Sequence, residues 1–400
     1  MTGSATQMRS WDGPAILSYG LRPFFLIASL WAALAMGLWI GMLSGIITLP
    51  TAFDLVAWHA HEFLFGYLSA VISGFLLTAI PNWTGRLPIV GWPLALLTGL
   101  WSLGRIAIAI SEKFSPLTAA ILDLSMLLVL TFFLFREIVS GKNWRNLIVL
   151  VLLSVIILGN AIFHWEAAQG ENAASGYGLR VGLAGSLMMV AVIGGRIIPS
   201  FTRNWLFKKG ETRLPVPFNR FDKLSLLSLL VAFAVWICAS ETLLSGVLML
   251  FAGGLHFIRL MRWRGLQTGS EPLLWVLHLA YGFLVLGMLA MAVCSFAPEK
   301  FSPATAQHIW MAGALGLMTL AVMTRASLGH TGRALTAGTG TLLIYLCLIL
   351  SVLSRVSVNI LPFEQDQTYV FSTLCWIGAY AGFAVFYGPA LLQREKVQPE

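Results

Sequence analysis

The stretch RNLIVLVLLSVIILGNAIFHW occupies residues 145–165 and carries no charged side chain after Arg145. An α-helix of about 20 residues is roughly 30 Å long, which is the thickness of the hydrocarbon core of a bilayer. A run of this length and apolarity therefore predicts a helix that crosses a membrane.

The composition of the 400-residue chain extends this interpretation to the whole protein. Hydrophobic residues make up 58% of the sequence and charged residues 10%, and the mean hydropathy is +0.82. A soluble domain carries about 25% charged residues, because it needs a water-facing surface. The four cysteines show no C-x-x-C spacing, which excludes a zinc ribbon or a disulfide scaffold. We therefore expect an all-α, polytopic membrane protein.

Apolar stretches long enough to span a bilayer predict about twelve transmembrane helices. They cover approximately residues 22–47, 58–80, 88–110, 115–135, 145–165, 178–200, 222–241, 242–261, 272–296, 303–328, 335–357 and 369–392. The predicted organisation is a cytoplasmic N-terminal segment (1–20), one twelve-helix domain (21–393) with a basic cytoplasmic loop (200–222), and a cytoplasmic tail (394–400).

The net charge of +8 is explained by its distribution along these segments. If the N-terminus is inside, the cytoplasmic side holds 20 of the 25 Lys and Arg residues, all except Arg105, Lys113, Arg180, Lys300 and Arg355. This asymmetry follows the positive-inside rule and predicts that both termini are cytoplasmic. The basic excess therefore predicts a lipid bilayer as the partner and no nucleic acid.

A weak internal repeat links the second, sixth and tenth segments. All three run from outside to inside and end in similar polar signatures, at residues 81–86, 194–204 and 324–333. A spacing of four helices, found three times, suggests three four-helix units around a common axis, since internal symmetry is frequent in membrane proteins.

Histidines near the outer face are the leading functional candidates, because ionisable groups inside a membrane are costly. His59 and His61 belong to the stretch WHAHE (58–62) and are separated by about 200° around a helix, so they face two different sites. His308 begins the tenth segment at a similar depth. His59 or His61 together with His308 could form a bis-imidazole haem site or part of a copper site.

Other ionisable residues in the spans have less specific assignments. His256 and His278 lie at matched depth on consecutive segments and could face each other, either as ligands or through a hydrogen bond between packed helices. His164 is predicted to lie at the membrane interface. Arg105 and Asp123 are predicted to form a buried ion pair, because an unpaired buried charge costs several kcal/mol. A proton path through Asp123 is the alternative.

Basic side chains gather at the inner ends of the sixth and tenth segments. They are Arg196, Arg203, Arg325, His330 and Arg333. They either follow from the positive-inside rule or hold an anionic group such as a haem propionate through charge-assisted hydrogen bonds. No P-loop, dinucleotide-binding glycine pattern or HExxH motif is present, so nucleotide-driven and zinc-peptidase chemistry have no support.

Several blocks of the sequence together resemble the NnrS family, which comprises haem- and copper-containing bacterial membrane proteins linked to nitric-oxide metabolism and denitrification. The blocks are GLRPFF (20–25), WHAHE (58–62) followed by Phe65-Gly66, GFLLTAIPNWTGR (74–86), GGRIIP (194–199) with FTRN (201–204), and MTLAVMTRASLGHTGR (318–333). The family pattern usually has a histidine early in the tenth segment, and His308 supplies it.

This resemblance implies a protein of the bacterial inner membrane that binds haem, with copper as a second candidate metal. It would protect against nitrosative stress by binding nitric oxide or by relieving iron-nitrosyl damage, with His59, His61 and His308 as the leading ligands. Helix number and outer histidines also resemble the catalytic subunit of haem-copper oxidases, a likeness of fold alone. Two alternatives stay open: a nitric-oxide reductase-like, quinol-linked oxidoreductase and a histidine-gated membrane transporter.

Overall fold

A computed structural model describes residues 11–358 and 364–394, and these parts of the chain contain helices and no β-strand. Twelve helices are long and apolar enough to cross a membrane. They are α1 (Leu21–Leu43), α2 (Leu55–Thr84), α3 (Trp92–Ala109), α4 (Pro116–Ser140), α5 (Trp144–Ala168), α6 (Tyr177–Lys208), α7 (Arg220–Cys238), α8 (Leu243–Met261), α9 (Pro272–Phe296), α10 (Pro303–His330), α11 (Thr339–Ser357) and α12 (Gln365–Leu392). They match the twelve predicted segments one for one, which confirms the all-α, multi-pass membrane fold.

Side-chain caps fix where two helices of the first half begin. Asp54 accepts hydrogen bonds from two backbone N–H groups at the start of α2. Ser115 accepts one at the start of α4, which continues with a proline at its first position. Such caps satisfy N–H groups that have no partner inside the helix. They place His61 and Asp123 about two turns into their helices.

Two helices contain a π-helical stretch directly after a histidine. Glu62–Tyr67 follows His61 in α2, and Ile309–Gly316 follows His308 in α10. π-Helical turns are rare and occur frequently at functional sites. The extra residue in such a turn also changes which side chains share a face after the histidine.

The three helices with the repeated polar signature are the most deeply buried of the twelve. In α2, α6 and α10, 89%, 78% and 78% of the apolar section is buried inside the protein, against at most 67% in any other span. The chain divides into two compact units. The arrangement as three four-helix units stays a prediction. The predicted loop 200–222 is partly helical, because α6 continues to Lys208 and α7 begins at Arg220.

The first unit contains the described residues up to Gly182, Met323–Leu335, and α12 from Tyr380 onwards. Within it, α3 packs on α4 and α4 packs on α5. α5 meets α6 through glycines: a Cβ atom at Gly159 would lie 2.7 Å from the Cα of Gly182. Small residues allow this backbone approach between membrane helices. The unit therefore brings α2, α3, α4 and α5 close together.

The second unit contains Leu183–Val322 and Thr336–Ala379. Within it, α8 packs against both α7 and α9. Trp236 of α7 and Trp310 of α10 are buried and meet edge to face with 5.5 Å between ring centroids. Such aromatic pairs add to the stability that comes from burial alone.

Candidate metal centre

Six polar side chains from four helices of the first unit meet in one buried cluster. No member is more than 7% exposed. They are His61 and Glu62 of α2, Arg105 of α3, Asp123 of α4, and Asn160 and His164 of α5. Burying so many polar groups within membrane spans is costly and marks a candidate functional site.

One oxygen of Asp123 lies at the centre of this cluster. Its Oδ2 is 3.2 Å from Nε2 of His61, 3.1 Å from Nε2 of His164 and 2.7 Å from Nδ2 of Asn160. Asn160 and His164 are four residues apart on α5 and therefore share one face of that helix. One ligand atom each from His61, Asp123 and His164 lie within 4.8 Å of one another, and the three could hold a metal ion.

The imidazole of His61 has oxygen acceptors on both sides. Nδ1 lies 3.1 Å from Oε1 of Glu62, while Nε2 lies 3.2 Å from Asp123 and 3.1 Å from Oδ1 of Asn160. A neutral imidazole has one N–H, so its other nitrogen would direct a lone pair at an acceptor. A second ring proton or a metal ion removes this repulsion. If Nδ1–H donates to Glu62, then Nε2 is the coordinating nitrogen, as in most metal-bound histidines.

The positive charge of Arg105 compensates the negative charge of one of the two carboxylates in the cluster. Its Nη1 donates to Oε1 of Glu62 at 2.5 Å, and its Nη2 donates to Oδ1 of Asp123. The predicted ion pair between Arg105 and Asp123 is therefore confirmed. With both histidines neutral, two carboxylates and one guanidinium leave one net negative charge. Buried charges require compensation, so the cluster is suited to a cation.

Gly66 makes room for this arrangement. A Cβ atom there would lie 2.5 Å from Nη1 of Arg105 and 2.8 Å from Oε2 of Glu62. Aromatic rings cover the other side of the cluster. Three rings surround that of His61 at centroid distances of 5.3 to 5.5 Å: Phe53, Phe65 and Phe163. The apolar environment that these rings create strengthens the electrostatic interactions inside the cluster.

The other two predicted ligands have different surroundings. The half-buried ring of His59 packs against Trp39 at 4.2 Å and Phe63 at 4.9 Å between centroids. His308 is half-buried in the second unit, and its Nδ1–H donates to the carbonyl of Ala304 at 2.7 Å. This hydrogen bond leaves the lone pair of His308 on Nε2.

His256 and His278 each have partners of their own. Nε2–H of His256 donates to the carbonyl of Ser225 at 2.9 Å, and its Nδ1 accepts from the hydroxyl of Tyr281 at 2.7 Å. Nε2 of His278 lies 2.9 Å from the hydroxyl of Thr202. Both ring nitrogens of His256 are therefore used within the protein, and its role as a ligand stays a prediction.

The hydroxyl of Tyr281 belongs to a longer buried network in the second unit. Arg259 donates to Tyr281 at 2.9 Å, to Asp222 at 2.9 Å and to the carbonyl of Ala191 at 3.0 Å. The network joins four helices, α6 to α9. Because its members form hydrogen bonds with one another across these helices, we interpret it as a packing element.

The predicted propionate-binding residues occupy both units. Arg196 and Arg203 are exposed on α6 in the second unit. In the first unit, Arg325 and His330 are half-buried and Arg333 is exposed. The ring of His330 packs against Tyr19 at 5.2 Å between centroids. Their role in binding a cofactor stays a prediction.

The positions of two members of the cluster are not predicted by the sequence. His164 was expected at the interface, yet it is 7% exposed and faces Asp123. Asn160 was not singled out. The signal that could have identified both is their spacing, because two polar side chains four residues apart on an apolar helix point to the same place.

The family described as NnrS protein matches residues 15–394, a range that includes every member of the buried cluster. No match was found among curated proteins.

Proposed function

The chain belongs to the NnrS family, whose members are membrane proteins implicated in the response to nitric oxide, and from this premise we propose that it is a haem and copper protein of the bacterial inner membrane. In this proposal it binds nitric oxide or relieves iron-nitrosyl damage, and so protects the cell against nitrosative stress. Its orientation would place both termini in the cytoplasm, as the distribution of Lys and Arg predicts.

The observation that carries this proposal is the convergence of His61, Asp123 and His164 in one buried cluster. Two imidazoles with one carboxylate form a donor set that suits copper or iron. Glu62 is placed to orient His61 through its Nδ1, which is how neighbouring carboxylates support metal-bound histidines.

A single ion suits this cluster better than a haem. The donors approach from three helices into one small volume, and the rings of His61 and His164 are only 5.2 Å apart at 78°. A porphyrin requires a flat opening beside its axial ligand. We therefore place copper at His61, Asp123 and His164, and we keep His59 and His308 as proposed haem ligands. The tautomer of His308 supports this role, since the lone pair is on Nε2.

The side chains of the cluster have separate roles in this proposal. His61, His164 and Asp123 would hold the ion, Glu62 would orient His61, and Arg105 compensates part of the charge of both carboxylates. Bound copper or haem iron would supply the ability to coordinate nitric oxide. The phenylalanine rings around His61 make the surroundings of the copper site apolar.

The test is metal analysis with absorption spectra of the purified protein, oxidised, reduced, and reduced with nitric oxide. We expect copper, and a Soret band that shifts when nitric oxide is added. His61→Ala and His164→Ala should each lower the copper content at least tenfold, while His278→Ala, in the second unit, should keep it. His308→Ala should remove or shift the Soret band without loss of copper.

Two outcomes would contradict the proposal. Protein produced with haem and copper in the medium that contains neither would favour a histidine-gated transporter. Consumption of nitric oxide by the purified protein with a quinol donor, above that of a haem-free preparation, would favour the quinol-linked oxidoreductase.

A further inference from the structure

Among the described residues, Arg355 is a cation of a membrane span that forms no ion pair with a carboxylate. It lies near the end of α11 and is half-buried, with its guanidinium 5.2 Å from the ring centroid of Tyr369. Among the described residues, no Asp or Glu forms an ion pair with Arg355, and the neighbouring Glu364 and Asp366 do not. Residues 359–363, the Asn-Ile-Leu-Pro-Phe that follow α11, include no acidic side chain.

A charge in this position is expected to have an anionic partner. Long basic side chains near the ends of membrane helices extend to the interface, where lipid phosphates are the available anions. The contact with one tyrosine ring compensates only part of the charge of Arg355.

An apolar groove lies within one helical turn of Arg355, in the same unit. It has a volume of about 390 Å³, within the range of ligand-binding pockets. Residues from α9, α10 and α11 line it, among them Leu286, Ala290, Val293, Ile309, Val352 and Val356. Arg355 is next to Val356 and three residues after Val352 on α11. The cation and the groove therefore occupy the same end of α11.

We propose that the groove between α9, α10 and α11 binds one phospholipid, with an acyl chain along the apolar lining and the phosphate on Arg355. A phosphate supplies the missing negative charge and several strong acceptors for the guanidinium. Basic side chains between membrane helices bind lipid head groups in this manner. Burial of the acyl chain against the apolar lining stabilises the bound lipid, as burial stabilises an apolar side chain in a protein core.

The charge of the head group distinguishes a phospholipid from an isoprenoid quinol as the occupant of the groove. A quinol head group is neutral and would leave Arg355 uncompensated, whereas a phosphate neutralises it. The site is independent of the copper cluster, whose members all belong to the first unit. Failure of copper binding at the cluster would therefore not affect this inference.

Native mass spectrometry of the intact protein tests the site. The protein is stripped of lipid in detergent and then titrated with 1-palmitoyl-2-oleoyl-phosphatidylglycerol. We expect one tightly retained lipid on the unmodified chain and at least a tenfold loss of retention in Arg355→Gln. Arg355→Lys, which keeps the charge, should keep part of the retention. Arg180→Gln is the matched control, because Arg180 also lies over a tyrosine ring, Tyr177, at 4.5 Å.

A second variant tests the groove without changing the charge. Ala290→Phe fills the lining and should lower lipid retention at least tenfold while Arg355 is intact. Equal retention in Arg355→Gln, Arg180→Gln and unmodified protein would overturn the proposal. So would a retained molecule with the mass of a quinol that Ala290→Phe releases.

Discussion

The imidazole rings of His61 and His164 lie 5.2 Å apart between centroids, and both direct Nε2 to the same oxygen, Oδ2 of Asp123. The two histidines belong to α2 and α5, and the shared oxygen belongs to α4. Three helices must therefore keep their depth and rotation for the three atoms to meet. Because the other oxygen of Asp123 accepts from Arg105, α3 also contributes to this alignment.

Gly66→Ala is expected to disturb the cluster without touching a proposed ligand. The new methyl group would displace Arg105 and Glu62, which lie 2.5 and 2.8 Å from its position. Overpacking of this kind costs about 1–3 kcal/mol of stability. We expect a lower unfolding temperature and less bound copper. Gly99→Ala on α3 is the control, because a Cβ atom there meets nothing within 4 Å; it should be neutral or slightly stabilising. Equal behaviour of the two variants would contradict the role of Gly66.

Arg105→Gln is expected to lower the free energy of unfolding by about 3–5 kcal/mol, because it leaves two buried carboxylates without their cation. Unfolding in a denaturing detergent measures the change. The double variant Arg105→Gln with Asp123→Asn should lose less than the sum of the single variants, since the two residues interact directly. Strict additivity would show that the ion pair does not contribute.

Glu62→Gln should weaken copper binding about 10–100-fold while leaving the fold intact, because a neutral amide orients His61 less strongly than a carboxylate. A competition titration with a copper chelator gives the affinity. Glu166→Gln is the matched variant: Glu166 is also buried in the first unit, but it accepts from the N–H groups of Tyr177 and Gly178. Its copper affinity should stay that of the unmodified protein.

Tyr281→Phe should destabilise the protein by about 1–3 kcal/mol without changing its copper or haem content. The lost hydroxyl leaves Nδ1 of His256 and Nη1 of Arg259 each with one hydrogen-bond partner fewer in a buried position. Thermal unfolding and metal analysis on the same sample measure both effects. Loss of haem or copper in a folded Tyr281→Phe protein would show that this network serves a cofactor.

The predicted orientation can be tested with two exposed glutamates, Glu211 and Glu299. In a background without native cysteines, Glu299→Cys should react with a membrane-impermeant maleimide in intact spheroplasts. Glu211→Cys should react only after the membrane is opened, because its loop carries the basic residues. The reverse pattern would place the termini outside the cell.

The fold was predictable because a membrane span can be recognised from the length and apolarity of its sequence segment. Each of the twelve predicted segments corresponds to one helix, including α7 and α8, which only a short polar turn separates. The ends were less predictable: α6 continues to Lys208, through a region that reads as a basic loop. Helix formation there depends on packing of side chains such as Leu206, which is buried, and not on apolarity along the chain.

The cluster was predictable only in part. The pairing of Arg105 with Asp123 follows from matched depth and the cost of a buried charge. The meeting of His61 with His164 depends on how α2 and α5 are rotated, and the π-helical turn after His61 alters that rotation beyond what spacing reveals. His164 also lies next to Trp165, an exposed residue typical of the interface, which favoured a surface assignment for both.

The helix α6 belongs to the first unit up to Gly182 and to the second from Leu183 onwards. A break in the gene at this boundary would cut a membrane span and separate residues 177–182, a piece too short to cross a bilayer, from the rest of its helix. The two units are therefore not modules that recombination can exchange between relatives one at a time. The two units are inserted into the membrane and inherited together. A substitution in one unit is therefore always selected in the presence of the other.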